Sequence, residues 1–277
     1  MASQPKGTLI IIGGHEDKEG DCEILSEVAR RAGKDGRLVV VTVATQQPEE
    51  VAREYHEIFT HLGVKRVDVL DIRTRDEAHD EDHIRTLDSA KVVFFTGGDQ
   101  LRITSQIGDT PVFSCMRDIY HGGGTIVGTS AGAAAMPETM LVGGPGEESH
   151  RISALRMAPG LGYLPSAVVD SHFAERGRVG RLLGAVVQNP RNLGLGIDED
   201  TAAVVERGVH LSVLGSGAVY VADGSDISYS SLSERQSEGV VSIHDVKLHV
   251  LGDGDKFDLS TRRPIPGNPT NRKEAAA

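Results

Sequence analysis

The amino-acid sequence predicts an α/β fold, a mostly parallel β-sheet flanked by helices with extra β-strands toward the C-terminus. Three observations predict it. Short apolar runs alternate with segments of helical spacing through the first half of the chain. These runs are apolar at every position, which is typical of parallel strands covered on both faces. Beyond residue 200 the helical spacing stops, and short strand-like runs follow one another instead.

The first half of the chain contains five apolar runs that we interpret as strands. They lie at residues 8–12, 37–43, 67–70, 90–95 and 125–127. Helical spacing predicts helices at residues 21–32, 49–62 and 112–121, and a small-residue run starts another at 131. Each strand ends in a polar or glycine-rich loop. Ligands of such sheets bind at the carboxyl ends of the strands, so we expect a functional site where these loops meet.

The second half of the chain changes pattern. Residues 143–149 have the composition of a loop, 167–170 and 192–197 that of strands, and 175–188 that of a basic helix. Short, mostly antiparallel strands are predicted at residues 202–205, 211–214, 218–221 and 247–251. No linker divides the chain, so we expect a single domain over residues 1–277. Residues 1–6 and about 262–277 are expected to form flexible tails.

Composition narrows the class of protein. The net charge of -11 argues against nucleic acid or an anionic membrane as the main partner. The two cysteines, Cys22 and Cys115, lie far apart, which favours a reducing compartment over a disulfide framework. No apolar run reaches the length of a signal sequence or a membrane span. We therefore expect a soluble, cytoplasmic protein.

A serine-nucleophile motif lies at the end of the fifth predicted strand. Gly128-Thr-Ser-Ala-Gly132 matches the G-x-S-x-G pattern in which a strand turns sharply into a helix. Small residues are needed on either side of such a turn because the two elements approach closely. The central residue, Ser130, is predicted to adopt a strained backbone conformation with its hydroxyl exposed above the sheet.

A serine of this kind needs a base and an oxyanion hole. His172 is the best candidate base, since it follows the predicted strand at 167–170 directly. The orienting acid is expected in the run Asp198-Glu199-Asp200, after the strand at 192–197; spacing alone does not choose among the three. Backbone amides of Ala131, after the serine, and of Gly98, in a glycine loop, can form the oxyanion hole.

Four segments in the same order, within residues 6–256, resemble the cyanophycinases, a group of serine peptidases related to aspartyl dipeptidase (peptidase E). The matching residues are Phe95-Thr-Gly-Gly-Asp-Gln100, Gly128-Thr-Ser-Ala-Gly-Ala133, Asp170-Ser-His-Phe173 with Arg176, Arg178, Gly180 and Arg181, and Gly196-Ile-Asp-Glu199. The resemblance implies a fold like that of class I glutamine amidotransferases, which is flavodoxin-like. It also implies Ser130 as nucleophile, His172 as base and Glu199 as the orienting acid, with Gly98 and Ala131 as oxyanion donors.

The resemblance implies an activity as well. Cyanophycinases are exo-acting hydrolases of cyanophycin, a poly-aspartate whose side-chain carboxyls carry arginine, and they release β-Asp-Arg dipeptides. They resemble one another in forming homodimers and in requiring no metal or other cofactor. Two alternatives stay open: an α-aspartyl dipeptidase of the same chemistry, and a non-catalytic binding protein on the same fold.

The substrate implied by the resemblance presents carboxylates and guanidinium groups. Carboxylates are bound well by arginine side chains, and guanidinium groups by carboxylates. Seven residues are therefore candidates for substrate binding, namely Asp99, Gln100, Asp170, Ser171, Arg176, Arg178 and Arg181. Ser171 departs from the family pattern, in which we expect a glutamine, so it leaves extra space and bears on polymer specificity.

The loop after the first predicted strand also belongs to this rim. It contains His15 and Glu16, which are residue types that bind metal ions. No third ligand has suitable spacing in the sequence. We therefore expect a structural or substrate-lining loop, and no metal site.

Overall fold

A computed structural model of the chain describes residues 7–143, 155–233 and 240–266. Its strands are β1 Thr8–Ile12, β2 Arg37–Val41, β3 Arg66–Leu70, β4 Ala90–Phe95, β5 Thr125–Thr129, β6 Thr139–Gly143, β7 Arg156–Pro159, β8 Ala167–Ser171, β9 Leu193–Ile197, β10 Thr201–Glu206, β11 His210–Gly215, β12 Val219–Asp223, β13 Tyr229–Ser230, β14 Ile243–His244, β15 Lys247–Leu251, β16 Lys256–Asp258 and β17 Arg263–Ile265. Its α-helices are α1 Glu23–Ala32, α2 Pro48–His61, α3 Glu81–Thr86, α4 Gln100–Ile107, α5 Pro111–His121, α6 Ala131–Ala134 and α7 Val179–Gln188. A short 3-10 helix spans Asp76–His79.

Two sheets dominate the structure. The larger one has nine strands in the order β17-β16-β11-β10-β1-β5-β4-β2-β3. Its five strands from β1 to β3 in this order are parallel, and the other four are antiparallel. The smaller sheet has the order β15-β12-β9-β8, with β8 and β9 parallel. This arrangement confirms the predicted α/β class with a mostly parallel core and extra C-terminal strands.

The predicted strands at 167–170 and 192–197 are present as β8 and β9, which belong to the smaller sheet. Some of the predicted helices need correction. The helix predicted at 175–188 begins only at Val179, because the chain turns at Gly177, which has a φ of +57°. Helices α3 and α4 were not predicted, since α3 has no buried residue and α4 buries only Ile103 and Ile107. No helix in the described residues has the length and apolar character needed to cross a membrane.

The prediction of a flexible tail from about residue 262 is wrong for its first residues, because residues 263–265 form strand β17. Strand β17 pairs with β16, and the Arg262 guanidinium donates a 2.6 Å hydrogen bond to Asp223. The other expected tail residues, 1–6 and 267–277, lie outside the described residues, as do residues 144–149 of the predicted loop. The single domain stays a prediction.

The core lies on both faces of the larger sheet. Alternate residues of β1 face opposite sides: Leu9 and Ile11 pack in one hydrophobic cluster, and Ile10 and Ile12 pack in another. The second cluster includes an aromatic group in which Phe94 of β4 contacts Tyr55 and Phe59 of α2, with ring centroids 4.7 and 5.4 Å apart. Burial on both faces explains why these strands are apolar throughout.

The carboxyl ends of three parallel strands meet at one edge of the larger sheet. Ile12 of β1 is in register with Thr129 of β5, and Phe95 of β4 with Gly128. The smaller sheet meets the same edge, since the amide of His172, just after β8, donates a 2.8 Å hydrogen bond to Gly13 O, just after β1. The loops at these strand ends therefore form one continuous site.

Phe94 is predicted to be a principal stabilising residue of the core. We expect Phe94→Ala to lower the free energy of unfolding by about 3–5 kcal/mol, because its fully buried ring leaves a cavity against α2. Val69 on β3 is 38% exposed, so Val69→Ala is the control and should change stability by less than about 1 kcal/mol. Urea unfolding followed by circular dichroism measures both. Equal losses in the two variants would contradict this account of the core.

Candidate active site

Ser130 occupies the turn between β5 and α6 and has a φ of +53°, a conformation that is rare for a residue with a side chain. The two flanking glycines are required by close packing. A Cβ on Gly128 would lie 2.4 Å from the carbonyl carbon of Gly132, and one on Gly132 would lie 2.5 Å from Phe95 O. The strained serine and the glycines that make room for it thus agree with the G-x-S-x-G expectation.

His172 lies beside the serine. Its Nε2 is 2.8 Å from the Oγ of Ser130, and its Nδ1 is 2.6 Å from Oε1 of Glu199. A carboxylate can only accept here, so Nδ1 carries the proton and Nε2 is left to accept from the serine hydroxyl. The imidazole is buried, whereas the Glu199 side chain is 26% exposed. The structure therefore brings these three residues together in one hydrogen-bonded chain.

The other two carboxylates of the acidic run point elsewhere. Asp198 accepts hydrogen bonds from the amides of Ala174 and Ala218, at 2.9 and 3.1 Å. Asp200 accepts from the amide of Asp17 at 2.9 Å. Both bind main-chain groups of neighbouring loops, so Glu199 is the member of the run that reaches the imidazole.

The surroundings shift the pKa of both titratable members of the chain. Burial lowers the pKa of His172 below that of a free imidazole, although its hydrogen bond to Glu199 acts in the opposite direction. Burial acts to raise the pKa of Glu199, but hydrogen bonds with His172 and His15 outweigh it and leave the pKa lowered. A neutral imidazole between a hydroxyl and an ionised carboxylate is the arrangement needed for proton abstraction from serine.

A cavity opens on one side of Ser130, and we call it the arginine-lined cavity. It is lined by Gly98, Gln100, Ser130, Ala131, Ala134, Leu141, Val142, Gly143, Asp170, Ser171, His172, Arg176, Arg178 and Arg181. Both expected oxyanion donors, Gly98 and Ala131, thus lie in the same cavity as the serine. So do six of the seven predicted substrate-binding residues.

Asp170 has a different role from the one expected. It is 1% exposed, and both of its oxygens bind arginine, Oδ2 accepting from Arg181 Nε at 2.7 Å and Oδ1 from Arg178 Nη1 at 3.1 Å. Arg181 also donates to Oδ1 through Nη2, and it is itself 7% exposed. Asp170 is therefore the buried counter-ion of two arginines and not a free carboxylate at the cavity surface.

The three arginines also differ in position from the sequence prediction. Only Arg181 lies in helix α7, while Arg176 and Arg178 precede it in the turn. Arg178 and Arg181 nevertheless converge, because both contact Asp170. Arg178 also donates a 2.6 Å hydrogen bond to the carbonyl of Ser171, and its buried Nε has no hydrogen-bond partner in the described part of the chain. Arg176 is exposed.

Asp99 and Gln100, at the beginning of helix α4, have different roles. Gln100 lies in the arginine-lined cavity, where its Nε2 donates a 2.8 Å hydrogen bond to Leu141 O. Asp99 is exposed and caps the helix by accepting a 2.9 Å hydrogen bond from the amide of Leu101. Asp99 is the one predicted substrate-binding residue that does not line this cavity, and its helix-capping role follows from its place before the first turn.

A second cavity also reaches the serine, and we call it the tyrosine-lined cavity. It is lined by His15, Glu16, Lys18, Val51, Glu54, Tyr55, Gly97, Thr129, Ser130, His172 and Arg176. Both oxygens of the buried Glu16 are occupied: Oε1 accepts from Tyr55 and Oε2 from Thr129, the latter at 2.6 Å. Glu16 thus holds the residue before Ser130. Sequence reasoning placed Glu16 on the rim but missed Tyr55, which lies on a helix distant in sequence.

His15 is nearer to the candidate nucleophile than its sequence position indicated. Its Nδ1 is 2.9 Å from Oε2 of Glu199, and its ring stands edge-on to that of His172 with centroids 5.1 Å apart. The ligand atoms of these three residues lie within 4.8 Å of one another, a spacing that a metal ion can bridge. The third ligand that linear spacing did not supply is thus present in space, although both Glu199 oxygens are taken by the imidazoles.

The sequence is similar to a known peptidase family and to curated proteins. A family model described as peptidase family S51 matches residues 9–212. The chain is 38% identical to a cyanophycinase of Geminocystis herdmanii over 269 residues, covering 96% of this chain and 99% of that protein. It is 39% identical to a cyanophycinase of Trichormus variabilis over 263 residues, covering 94% of this chain and 88% of that protein.

A solved structure shares the fold. The crystal structure of a peptidase from an acI-B1 actinobacterium superposes with a TM-score of 0.71 at 18% sequence identity. The match covers 92% of this chain and 98% of that one.

The buried ion cluster around Asp170 yields a stability prediction. Asp170→Ala should lower the free energy of unfolding by about 3–5 kcal/mol, because it leaves the guanidinium groups of Arg178 and Arg181 buried without their counter-ion. Asp35→Ala is the control: its partner is Lys65, both side chains are exposed, and the loss should stay below about 1 kcal/mol. Urea unfolding measures both. Similar losses in the two variants would contradict the assignment of Asp170 as a buried counter-ion.

Proposed function

This chain belongs to peptidase family S51, and on that premise we propose that it is a serine-type exopeptidase that hydrolyses cyanophycin and releases β-Asp-Arg dipeptides. The observation that carries the chemistry is the hydrogen-bonded chain Ser130–His172–Glu199 beside an arginine-lined cavity. The substrate is proposed from the cyanophycinases to which the chain is similar over nearly its whole length. Release of β-Asp-Arg from a poly-aspartate requires cleavage of a main-chain amide.

In the proposed reaction, Ser130 Oγ attacks the carbonyl carbon of that amide while His172 Nε2 takes the hydroxyl proton. The resulting imidazolium is stabilised by Glu199, which holds Nδ1. His172 then gives the proton to the leaving amine, and an acyl-enzyme forms on Ser130. Water activated by the same imidazole releases the acyl group. No step in this scheme needs a metal ion or another cofactor.

The tetrahedral intermediates place a negative charge on the former carbonyl oxygen. We propose that the backbone amides of Gly98 and Ala131 stabilise it. Both residues line the arginine-lined cavity together with Ser130. Two amides held by the main chain cost no reorganisation during the reaction, which makes them effective donors.

The charge of the arginine-lined cavity supports an acidic substrate. Three guanidinium groups and one carboxylate lie in its wall, so the cavity attracts carboxylates. Arg181 and Arg178 are committed to Asp170, which leaves the exposed Arg176 as the guanidinium proposed to bind the substrate. Asp170 then acts on substrate binding through the arginines, and the exposed Asp99 is the carboxylate proposed for the substrate guanidinium.

Other expectations from the sequence remain proposals. We propose that the protein works as a homodimer in the cytoplasm, with neither nucleic acid nor a membrane as a partner. The net charge of -11 supports the proposal about nucleic acid and anionic lipid. Light scattering coupled to size-exclusion chromatography measures the oligomeric state directly, and a monomeric mass would reject the dimer.

The substrate is tested with insoluble cyanophycin. We expect the wild-type protein to clear the polymer and mass spectrometry of the soluble fraction to give β-Asp-Arg as the main product. Asp-X dipeptides are the competing substrates. Hydrolysis of these without clearing of cyanophycin would reject the proposal in favour of an α-aspartyl dipeptidase, and inertness toward both would favour a binding protein.

The nucleophile is tested by Ser130→Ala, which should lower kcat by about six orders of magnitude, because the three residues act as a unit. The control is Ser105→Ala on helix α4, whose exposed hydroxyl lies outside both cavities and whose loss should leave turnover unchanged. Glu199→Gln should reduce kcat less than His172→Ala does, since the acid orients the base and transfers no proton. Appreciable turnover by Ser130→Ala would overturn the assignment.

The lowered pKa of His172 yields a pH prediction. The base must be neutral to accept the serine proton, so kcat/KM should rise with pH through the pKa of this imidazole and then level off. Because burial lowers that pKa, the midpoint should fall below the value of a free imidazole, and activity should persist into mildly acidic solution. The kcat/KM of a soluble oligomer measured against pH tests this. A midpoint above the free imidazole value would contradict it.

A further inference from the structure

His15 contacts the acid of the proposed catalytic chain at the carboxylate oxygen that the base does not use. Its Nδ1 lies 2.9 Å from Oε2 of Glu199, while His172 Nδ1 holds Oε1 at 2.6 Å. Each carboxylate oxygen therefore faces one imidazole nitrogen. With the carboxylate ionised, both nitrogens act as donors, and the Nε2 of His172 stays free to accept from the serine.

The backbone holds His15 in this place. It has a φ of +48°, which is uncommon for histidine, and the loop on either side is bound to the loop that carries Glu199. Before His15, Gly14 O accepts a 2.9 Å hydrogen bond from the amide of Asp200. After it, the amide of Asp17 donates a 2.9 Å hydrogen bond to Oδ1 of Asp200. These two bonds bracket His15 and aim its side chain at Glu199, although the side chain itself is 72% exposed.

Glu199 needs such a partner because little else restrains its side chain. It follows strand β9 in an open turn and is 26% exposed. Its amide donates a 3.2 Å hydrogen bond to Oε1 of Glu175, which positions the main chain but not the carboxylate. A carboxylate held at one oxygen can rotate about its terminal bonds, whereas one held at both oxygens keeps its plane and its distance to the base.

We infer that His15 is a positioning residue for the proposed reaction: its Nδ1–H fixes the second oxygen of Glu199 and thereby keeps the first oxygen on His172. This inference rests on the proposed function. His15 acts through Glu199 and makes no contact with the serine hydroxyl in the hydrogen-bonded chain. The charged groups that face His172 and Glu199 from adjacent loops are Arg176 and Glu175, and a substitution at His15 alters neither of these side chains.

The experiment compares His15→Asn with His15→Leu. The amide nitrogen of asparagine occupies the position of the histidine Nδ1, one bond beyond Cγ, and asparagine tolerates a positive φ. Leucine has nearly the same shape as asparagine but has no side-chain N–H group. We expect kcat/KM to fall about 10- to 100-fold in His15→Leu, the range for loss of a hydrogen bond to a charged group, and to stay within about threefold of wild type in His15→Asn.

Three readouts separate positioning from other roles. The loss should lie in kcat with KM unchanged, whereas a substrate-contacting side chain would raise KM. The acidic limb of the kcat/KM profile should move to higher pH in His15→Leu only, because without the His15 N–H the Glu199 carboxylate holds the His172 proton more strongly. Thermal unfolding of both variants shows whether leucine at a positive φ lowers the stability of the protein, so that a loss of activity through unfolding is recognised.

Inactivation by phenylmethanesulfonyl fluoride makes the test independent of the polymer. This small reagent reports how strongly Ser130 is activated, so His15→Leu should react about 10- to 100-fold more slowly than wild type, and His15→Asn nearly as fast. Equal rates in wild type and both variants would overturn the inference while leaving the proposed nucleophile in place. An unreactive wild-type protein that also leaves cyanophycin intact would instead reject the proposed function, and the inference with it.

Discussion

The hydrogen bonds accepted by the main chain of Gly13 and Gly14 hold the loops of the base and the acid against the end of the central strand β1, and the geometry of the candidate site depends on them. Gly13 O accepts from the amide of His172, and Gly14 O accepts from the amide of Asp200, next to Glu199. The base follows β8 and the acid follows β9 of the smaller sheet, whereas the serine follows β5 of the larger one. A Cβ on Gly14 would lie 2.3 Å from Cε1 of His172, so the close approach of this loop to the base requires glycine at position 14.

Three residues in these loops have strained backbone conformations. Ser130, His172 and His15 have φ values of +53°, +49° and +48°. Strain of this kind costs about 1–3 kcal/mol per residue and persists only where the surrounding structure holds it. Here the amide of Ser130 donates a 3.0 Å hydrogen bond to Ile12 O, which ties the strained turn to the central strand. Because these positions are held by main-chain hydrogen bonds, the backbone brings His172 within reach of Ser130 and His15 within reach of Glu199.

How much the sequence predicts depends on how local the determining interaction is. The parallel core and the Ser130 turn follow from short segments, namely uninterrupted apolar strands and two glycines around a serine. Glu199 was distinguished from Asp198 only by the resemblance to a family, because the choice depends on hydrogen bonds from Ala174 and Ala218 to Asp198. The pairing of Asp170 with arginines and the contact of His15 with Glu199 span distant segments, so neither has a signature in linear spacing.

The proposed reaction passes through a covalent intermediate at Ser130. The most direct measurement is a rapid acid quench of the protein during turnover of a short cyanophycin oligomer, followed by proteolysis and mass spectrometry. We predict an adduct with the mass of the acyl part of the substrate on the peptide that contains Ser130, and its absence in Ser130→Ala. An adduct on a residue other than Ser130, in a protein that turns the oligomer over, would contradict the proposed reaction.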